Sequence, residues 1–293
     1  MNKAEVIAVT GSKGFIGHHL VDKLRKTEHK LLEIDIAAGT DILSIDDMNK
    51  LPPFGVMVHL AAKTFVPESY IESRGFYQTN IMGTINCLEL CKKNNANMIF
   101  ASTYVYGKPK YLPIDERHPI DTWNPYATSK IVGEHLCEAY SRDFSVNCHI
   151  LRIFNIYGQG QDKRFLVPTI IDGVIKGKLK LENATSKRDF VYYLDVLNAL
   201  ILCIYSKNSG CFVYNVGSGK SSSVEQVVDI VMSIMNRDVE VEYGNIVRKS
   251  EVHNVVADIS KIESAMGWVP EYSLEDGLNM QIDSYIAKNQ IDS

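Results

Sequence analysis

Short apolar runs rich in β-branched residues recur at 5–10, 30–36, 56–60, 97–102 and 147–152, and each reads as a strand. Between them lie longer segments with apolar residues every three or four positions. After Gly17, for example, Leu20, Val21 and Leu24 share one helical face. Segments 77–95 and 126–142 also read as helices. Strands alternating with amphipathic helices predict an α/β fold, a doubly wound parallel sheet with helices on both faces. Beyond Tyr157-Gly158 the pattern changes. Phe165 to Ile175 reads as a helix, Lys178 to Leu181 as a short strand, and Asp189 to Tyr205 as a return to the first core. A helix over 223–236, a strand over 239–243 and a helix over 273–288 follow. The expected division is a first domain over 1–165, rejoined at about 187–217, and a smaller discontinuous α/β C-terminal domain over 166–186 and 218–293. The cleft between them is where a substrate is expected.

Two local patterns carry chemistry. The first, Gly11-Ser12-Lys13-Gly14-Phe15-Ile16-Gly17, joins the first strand to the first helix. Glycine there permits a tight turn and lets the backbone approach a pyrophosphate, whose charge the helix N-terminus meets. Three glycines so spaced also describe a plain turn; the strand–turn–helix context favours the dinucleotide. Asp35, eighteen residues past Gly17 on the second strand, can accept both hydroxyls of an adenosine ribose and repels a 2′-phosphate. That argues for NAD over NADP. Neither Lys13 nor Lys63 sits where a reader of that phosphate is normally placed.

The second pattern is Asn124-Pro125-Tyr126-Ala127-Thr128-Ser129-Lys130. Asn124 suits a helix cap and Pro125 the first helical position. The spacing of four sets Tyr126 and Lys130 on one face. A free phenol titrates near 10, and bringing it to 7 takes about 4 kcal/mol. A neighbouring ammonium acts in that direction, and an oxidised nicotinamide would add to it. Alone, such a pair is more often surface packing; the glycine turn upstream gives it weight.

With these motifs the chain resembles the extended short-chain dehydrogenase/reductases, and within them the NAD-dependent nucleotide-sugar epimerase/dehydratase branch. Further matches are His59-Leu60-Ala61-Ala62, Asn80-Ile81-Met82-Gly83-Thr84, Ser102-Thr103-Tyr104-Val105-Tyr106-Gly107 and Arg152-Ile153-Phe154-Asn155-Ile156-Tyr157-Gly158. Arg188-Asp189-Phe190-Val191, Tyr214-Asn215-Val216-Gly217-Ser218-Gly219 and Gly267-Trp268-Val269-Pro270 complete the order.

The resemblance implies a Rossmann-type first domain that binds NAD and a second that binds a nucleotide sugar. It makes Tyr126 the acid/base on a sugar hydroxyl, and Lys130 the holder of the nicotinamide ribose that also depresses the tyrosine pKa. A third catalytic hydroxyl precedes Val105-Tyr106-Gly107; counting back without gaps selects Ser102, with Thr103 as the alternative. For the cofactor it implies Gly11, Gly14, Phe15, Ile16 and Gly17 in the turn, and Asp35 on the ribose. Asp41 and Ile42 would contact adenine, Leu60, Ala61 and Ala62 the pyrophosphate, with Lys63 and Asn80 close by. Substrate contacts would come from Ser102, Thr103, Asn155 on the diphosphate, and an arginine clamp of Arg188 and Arg248. Arg248 departs from the pattern, because Lys249 stands where a glycine is familiar.

Dehydratases of this branch carry an Asp-Glu pair where this chain has Thr103-Tyr104, so water elimination is not expected. What remains needs a hydride and one hydroxyl proton, most simply at carbon 4. The expectation is a nucleotide-sugar 4-epimerase. A net 4-dehydrogenase or 4-ketoreductase uses the same residues, and a non-catalytic NAD sensor would have lost them. Nucleotide and sugar stay open.

Composition changes this little. The 293 residues are 45% hydrophobic and 23% charged, as in ordinary globular proteins. A net charge of −4 gives no electrostatic case for nucleic acid or an anionic membrane, so substrate phosphates must be met locally by arginine. No apolar run reaches the roughly 20 residues that span a bilayer. With no signal peptide read at the N-terminus, Cys87, Cys91, Cys137, Cys148, Cys203 and Cys211 are expected as free thiols in the cytoplasm. No metal-ligand spacing appears. By family analogy, helices near 77–95 and 126–142 would form a homodimer.

Overall fold

The computed structural model describes residues 6–244 and 252–289. Strands Val6–Thr10 (β1), Lys30–Ile34 (β2), Val56–His59 (β3), Asn97–Thr103 (β4) and Cys148–Ile153 (β5) join Cys211–Val216 in one six-stranded sheet. Its order is Cys211–Val216, β5, β4, β3, β1, β2, and the pairings among β1 to β5 are parallel. Every residue of β3 and of β5 is buried, as in strands covered on both faces. This is the doubly wound Rossmann-type sheet. The order reverses between β1 and β3, and in open α/β sheets ligands bind beyond the strand ends at such a point. β2 stops at Ile34 because Asp35 accepts the Ala37 N–H and caps a short turn over Ile36–Ala38.

The chain forms two compact units. The first is Met1–Tyr106, Ile120–Ile153 and Leu197–Tyr214; the second is Gly107–Pro119, Phe154–Val196 and Asn215–Ser293. The chain therefore leaves the first unit after β5, and segment 107–119 also belongs to the second. Backbone bonds explain that segment: the Ile114 N–H reaches the Val256 carbonyl, and the Asp258 N–H the Ile114 carbonyl, each at 2.8 Å.

In the first unit, helices Gly83–Asn94 and Pro125–Phe144 contribute Cys87, Leu88, Cys91 and Cys137 to a core with Met57, Met98, Phe100 and Cys148. Burial pushes the Cys87 and Cys91 thiols up in pKa, and the Cys137 hydrogen bond, with burial, does the same for Cys148, so they pack as small apolar groups. In the second unit, helix Leu166–Lys176 buries Val167, Ile170, Ile171 and Val174, and helix Val224–Met235 buries Val227, Val228 and Val231. Two buried carboxylates stitch this unit. Asp189 accepts from Ser218 N, Ser218 Oγ, Gly219 N and Ala257 N at 2.6 to 3.0 Å. Asp195 accepts from Glu271 N at 2.8 Å, and its carbonyl takes the Trp268 indole N–H at 3.0 Å. Among the described residues no helix is long and apolar enough to cross a membrane, and no group of three His, Cys, Asp or Glu could hold a metal ion.

His59 ends β3 inside the first core, with its ring nitrogens 2.7 Å from Thr10 Oγ1 and 3.0 Å from Thr84 Oγ1. Burial, and then the Lys130 charge, push its pKa down to about 3. The unfolded chain therefore binds a proton here that the folded chain refuses, and stability is lost as pH falls below the ordinary histidine value. Between pH 7 and pH 5 the loss amounts to about 2 kcal/mol. Urea unfolding at the two pH values should show that extra loss in the parent protein and not in a His59→Gln variant.

Candidate active site

At the end of β1, Gly11 has φ of +67°, and a Cβ there would lie 2.7 Å from the Ala61 amide nitrogen. Only glycine lets the turns after β1 and β3 meet. A Cβ on Gly17 would strike the Gly11 carbonyl, so this glycine sets the helix close against the turn. Helix Phe15–Leu24 starts after Gly14 with no side-chain cap, and a helix N-terminus favours an anion. The buried Ser12 hydroxyl in the same turn has no partner. Phe15 and Ile16 lie half-buried in the helix's first turn. Asp35 accepts the Lys13 and Ala37 N–H groups, each at 2.9 Å, and its remaining lone pairs can take ribose hydroxyls. Lys13 is paired to Glu33 at 2.6 Å and Lys63 to Glu72, so both nearby cations are engaged. Uncapped amides, an orphaned hydroxyl and an acid at the strand end fit a dinucleotide, and the acid fits one without a 2′-phosphate.

The Ile42 side chain is buried against Gly83 in the core, and its carbonyl takes the Asn86 amide at 2.8 Å. Beside it, Asp41 accepts the Leu43 N–H at 2.9 Å. Asn80 is buried with its oxygen accepting from Lys63 N and its two amide hydrogens given to Lys63 O and Ser129 Oγ. Leu60 and Ala61 direct their N–H groups to Thr10 Oγ1 at 3.1 and 3.2 Å, while Ala62 is half-buried beside them.

Asn124 Oδ1 accepts the Ala127 N–H at 2.8 Å, and Pro125 opens helix Pro125–Phe144 as its spacing predicts. Tyr126 is half-buried in the first turn, and the Thr103 side chain shares a hydrogen bond with it. Burial raises the Tyr126 pKa and the Thr103 bond only partly offsets it. The protein's own groups thus do not produce the depressed phenol expected from Lys130. Lys130 is buried one turn on; Nζ donates to the Ala101 carbonyl at 2.8 Å and lies 4.9 Å from the Phe100 ring centre. Burial brings its pKa down to about 8, against the Cys137 and Glu134 charges, which raise it.

Ser102 is engaged elsewhere. Its hydroxyl donates to Glu134, which continues the Tyr126–Lys130 stripe by one more turn. Arg152 of β5 grips the same carboxylate with Nη2 at 2.6 Å and Nε at 3.0 Å, and reaches the Tyr106 hydroxyl at 3.0 Å. The gapless count from Val105-Tyr106-Gly107 selects Ser102, with Thr103 as the alternative; in the structure Ser102 is paired with Glu134 and Thr103 is the hydroxyl that lowers the Tyr126 pKa. Neither Glu134 nor Arg152 stands out as a site residue in the sequence, although the four-residue repeat 126, 130, 134 marks the first of them.

In the second unit, Asn155 N donates to the Asp189 carbonyl at 3.0 Å, and strand Asn155–Tyr157 pairs with Phe190–Tyr192. Arg188 precedes Asp189, with Nη1 donating to the Lys187 and Val252 carbonyls at 2.9 and 2.6 Å. Asn155 and Arg188 are thus brought together around Asp189. Arg248 lies outside the described residues.

The model of the NAD dependent epimerase/dehydratase family matches residues 7–217. A Methanocaldococcus jannaschii protein, provisionally named a UDP-glucose 4-epimerase, is 33% identical over 95% of this chain and 97% of its own length. The GDP-6-deoxy-D-mannose reductase of Pseudomonas aeruginosa is 28% identical, covering 92% of this chain and 93% of its own. The crystal structure of a UDP-glucose 4-epimerase with UDP-glucose from Thermotoga maritima superposes with a TM-score of 0.91 at 27% identity, over 97% of this chain and 99% of that one.

The hydroxyl assignment is open to a direct check. Thr103→Val should raise the Tyr126 pKa further, because it removes the bond that lowers it, whereas Ser102→Ala should leave it in place. Phenolate absorbance against pH, with a Tyr126→Phe protein as the blank, separates the two.

Proposed function

The chain belongs to the NAD dependent epimerase/dehydratase family, and we propose that it is a nucleotide-sugar 4-epimerase. The observation that carries the reading is the grouping of Tyr126, Thr103 and buried Lys130 with no carboxylate in the Thr103-Tyr104 segment. Glu134, the carboxylate on the same helical stripe, is held by Arg152 and Ser102. Such a site can move one hydroxyl proton and support hydride transfer, but has no acid–base pair for eliminating water.

In this reading the glycine turn with Ser12 holds the pyrophosphate, Asp35 the adenosine ribose and Lys130 the nicotinamide ribose. When bound, NAD supplies a two-electron acceptor at carbon 4 and a positive ring beside Tyr126. That charge provides the phenol depression the protein groups alone lack. Tyr126 as phenolate takes the 4-hydroxyl proton and later returns it, and Thr103 hydrogen-bonds the same oxygen. A general base works best with a pKa near the operating pH. Asn155 and Arg188 meet the diphosphate, the guanidinium as a fork-shaped donor. Turning of the 4-keto sugar before the proton and hydride return gives the epimer. The reductase relative favours a second reading, in which the keto sugar is exchanged with solution and the enzyme is a net oxidoreductase. Exposed Tyr77 and Met82 near the start of the helix over 83–94 support a homodimer through that face.

Proton NMR on a panel of nucleotide sugars, beginning with UDP-glucose, with substoichiometric NAD tests the choice. The proposal expects one 4-epimer to form far beyond the NAD present; product that stops at the NAD added supports the net oxidoreductase instead. Tyr126→Phe should lower turnover by at least about two orders of magnitude while NAD still binds. The rate should also fall as pH rises through about 8, where Lys130 loses its proton, and Glu134→Gln should move that fall to lower pH.

A further inference from the structure

One continuous set of buried hydrogen bonds runs from the turn after β3 to the backbone of Tyr126. Thr84 Oγ1 donates to the Asn80 carbonyl at 2.6 Å, so its single hydrogen is engaged and it must accept from His59 Nε2 at 3.0 Å. His59 Nδ1 is then bare and accepts from Thr10 Oγ1 at 2.7 Å, with Cys87 Sγ 3.6 Å from the same nitrogen. Thr10 Oγ1 in turn accepts the Leu60 and Ala61 N–H groups. At the other end, Asn80 clasps both backbone groups of Lys63 at 2.9 and 3.0 Å and donates to Ser129 Oγ at 2.8 Å. Ser129 Oγ donates to the Tyr126 carbonyl at 2.7 Å.

None of Thr10, His59, Asn80, Thr84 and Ser129 is more than 1% exposed. Each hydroxyl and ring hydrogen has one consistent direction, so turning any one leaves a buried group unpaired. The tautomer of His59 follows from that saturation alone. Asn80 sits in a π-helical turn over Gln78–Met82, a local widening of the helix that recurs at functional sites. With both amide hydrogens given to protein, Asn80 has none to offer a ligand.

We propose that this hydrogen-bond thread is a positioning device: seating the nucleotide half of the cofactor on the 60–63 turn fixes the first turn of the Tyr126 helix, with Asn80 and Ser129 as positioning residues. The inference rests on the reading of the glycine turn as a dinucleotide site. It gives two parts of that site a shared equilibrium, so that what steadies one steadies the other.

ADP is the probe that isolates it, because ADP lacks the nicotinamide ribose assigned to Lys130. Amide hydrogen exchange is followed with and without ADP in the full-length parent and in Ser129→Ala, which cuts the last link and leaves the Asn80–Lys63 clasp intact. In the parent, ADP should slow exchange in peptides over 11–17, 58–64 and 124–130, the last by about threefold or more. In Ser129→Ala the slowing at 11–17 and 58–64 should persist and that at 124–130 should vanish. A direct structural effect of the substitution would change the exchange rate without ADP, not the response to it. Slowing at 124–130 that survives in the variant, or is missing in the parent while 11–17 responds, overturns the inference and leaves the cofactor reading standing. No response at 11–17 overturns the cofactor reading and takes this inference with it.

Discussion

Two neighbouring hydroxyls at the end of β4 meet one helix, Pro125–Phe144. Ser102 donates to Glu134, and Thr103 shares a hydrogen bond with Tyr126. The Glu134–Arg152 pair anchors the first of these contacts between the helix and β5, and so fixes which way the second can point. A buried ion pair contributes little net stability for its desolvation cost, but removing one partner leaves a charge stranded. Its value here is orientation. The Lys130 ammonium, seated on the Ala101 carbonyl, depends on the same placement of helix against strand.

The electrostatics of the first unit are incomplete as a catalyst and suited to a cofactor. Burial brings the lysine down to about 8, where it still holds its proton at neutral pH, and raises the tyrosine, so within the protein alone the phenol is not poised as a base. A positive ring beside the phenol acts on the tyrosine in the missing direction. Base strength would then appear only with the oxidised cofactor in place. His59 contrasts with both groups: its neutral ring serves as a fixed joint in the core.

Much of this was legible in the chain. Alternating apolar periods gave the parallel sheet, and the glycine turn, Asp35 and the Asn124–Lys130 segment stand where spacing places them. Contacts set by long-range packing were not legible by counting. Distance from Val105-Tyr106-Gly107 names Ser102 but does not foresee its bond to the Glu134 carboxylate, thirty-two residues on. Nor does spacing foresee the Asn80 partners at Lys63 and Ser129, or the Ile42 side chain packed against Gly83. The 107–119 segment carries no periodic signal, and its place in the second unit rests on backbone bonds to residues 256 and 258.

In the proposed epimerase, hydride leaves and returns to carbon 4 within one site. Incubation of UDP-glucose deuterated at carbon 4, in ordinary water with catalytic NAD, followed by mass spectrometry and NMR of the sugar, tests this. A 4-epimer that keeps its deuterium at carbon 4 is the expected product. Epimer carrying solvent hydrogen there, or deuterium accumulating in free reduced cofactor with no epimer formed, would contradict it.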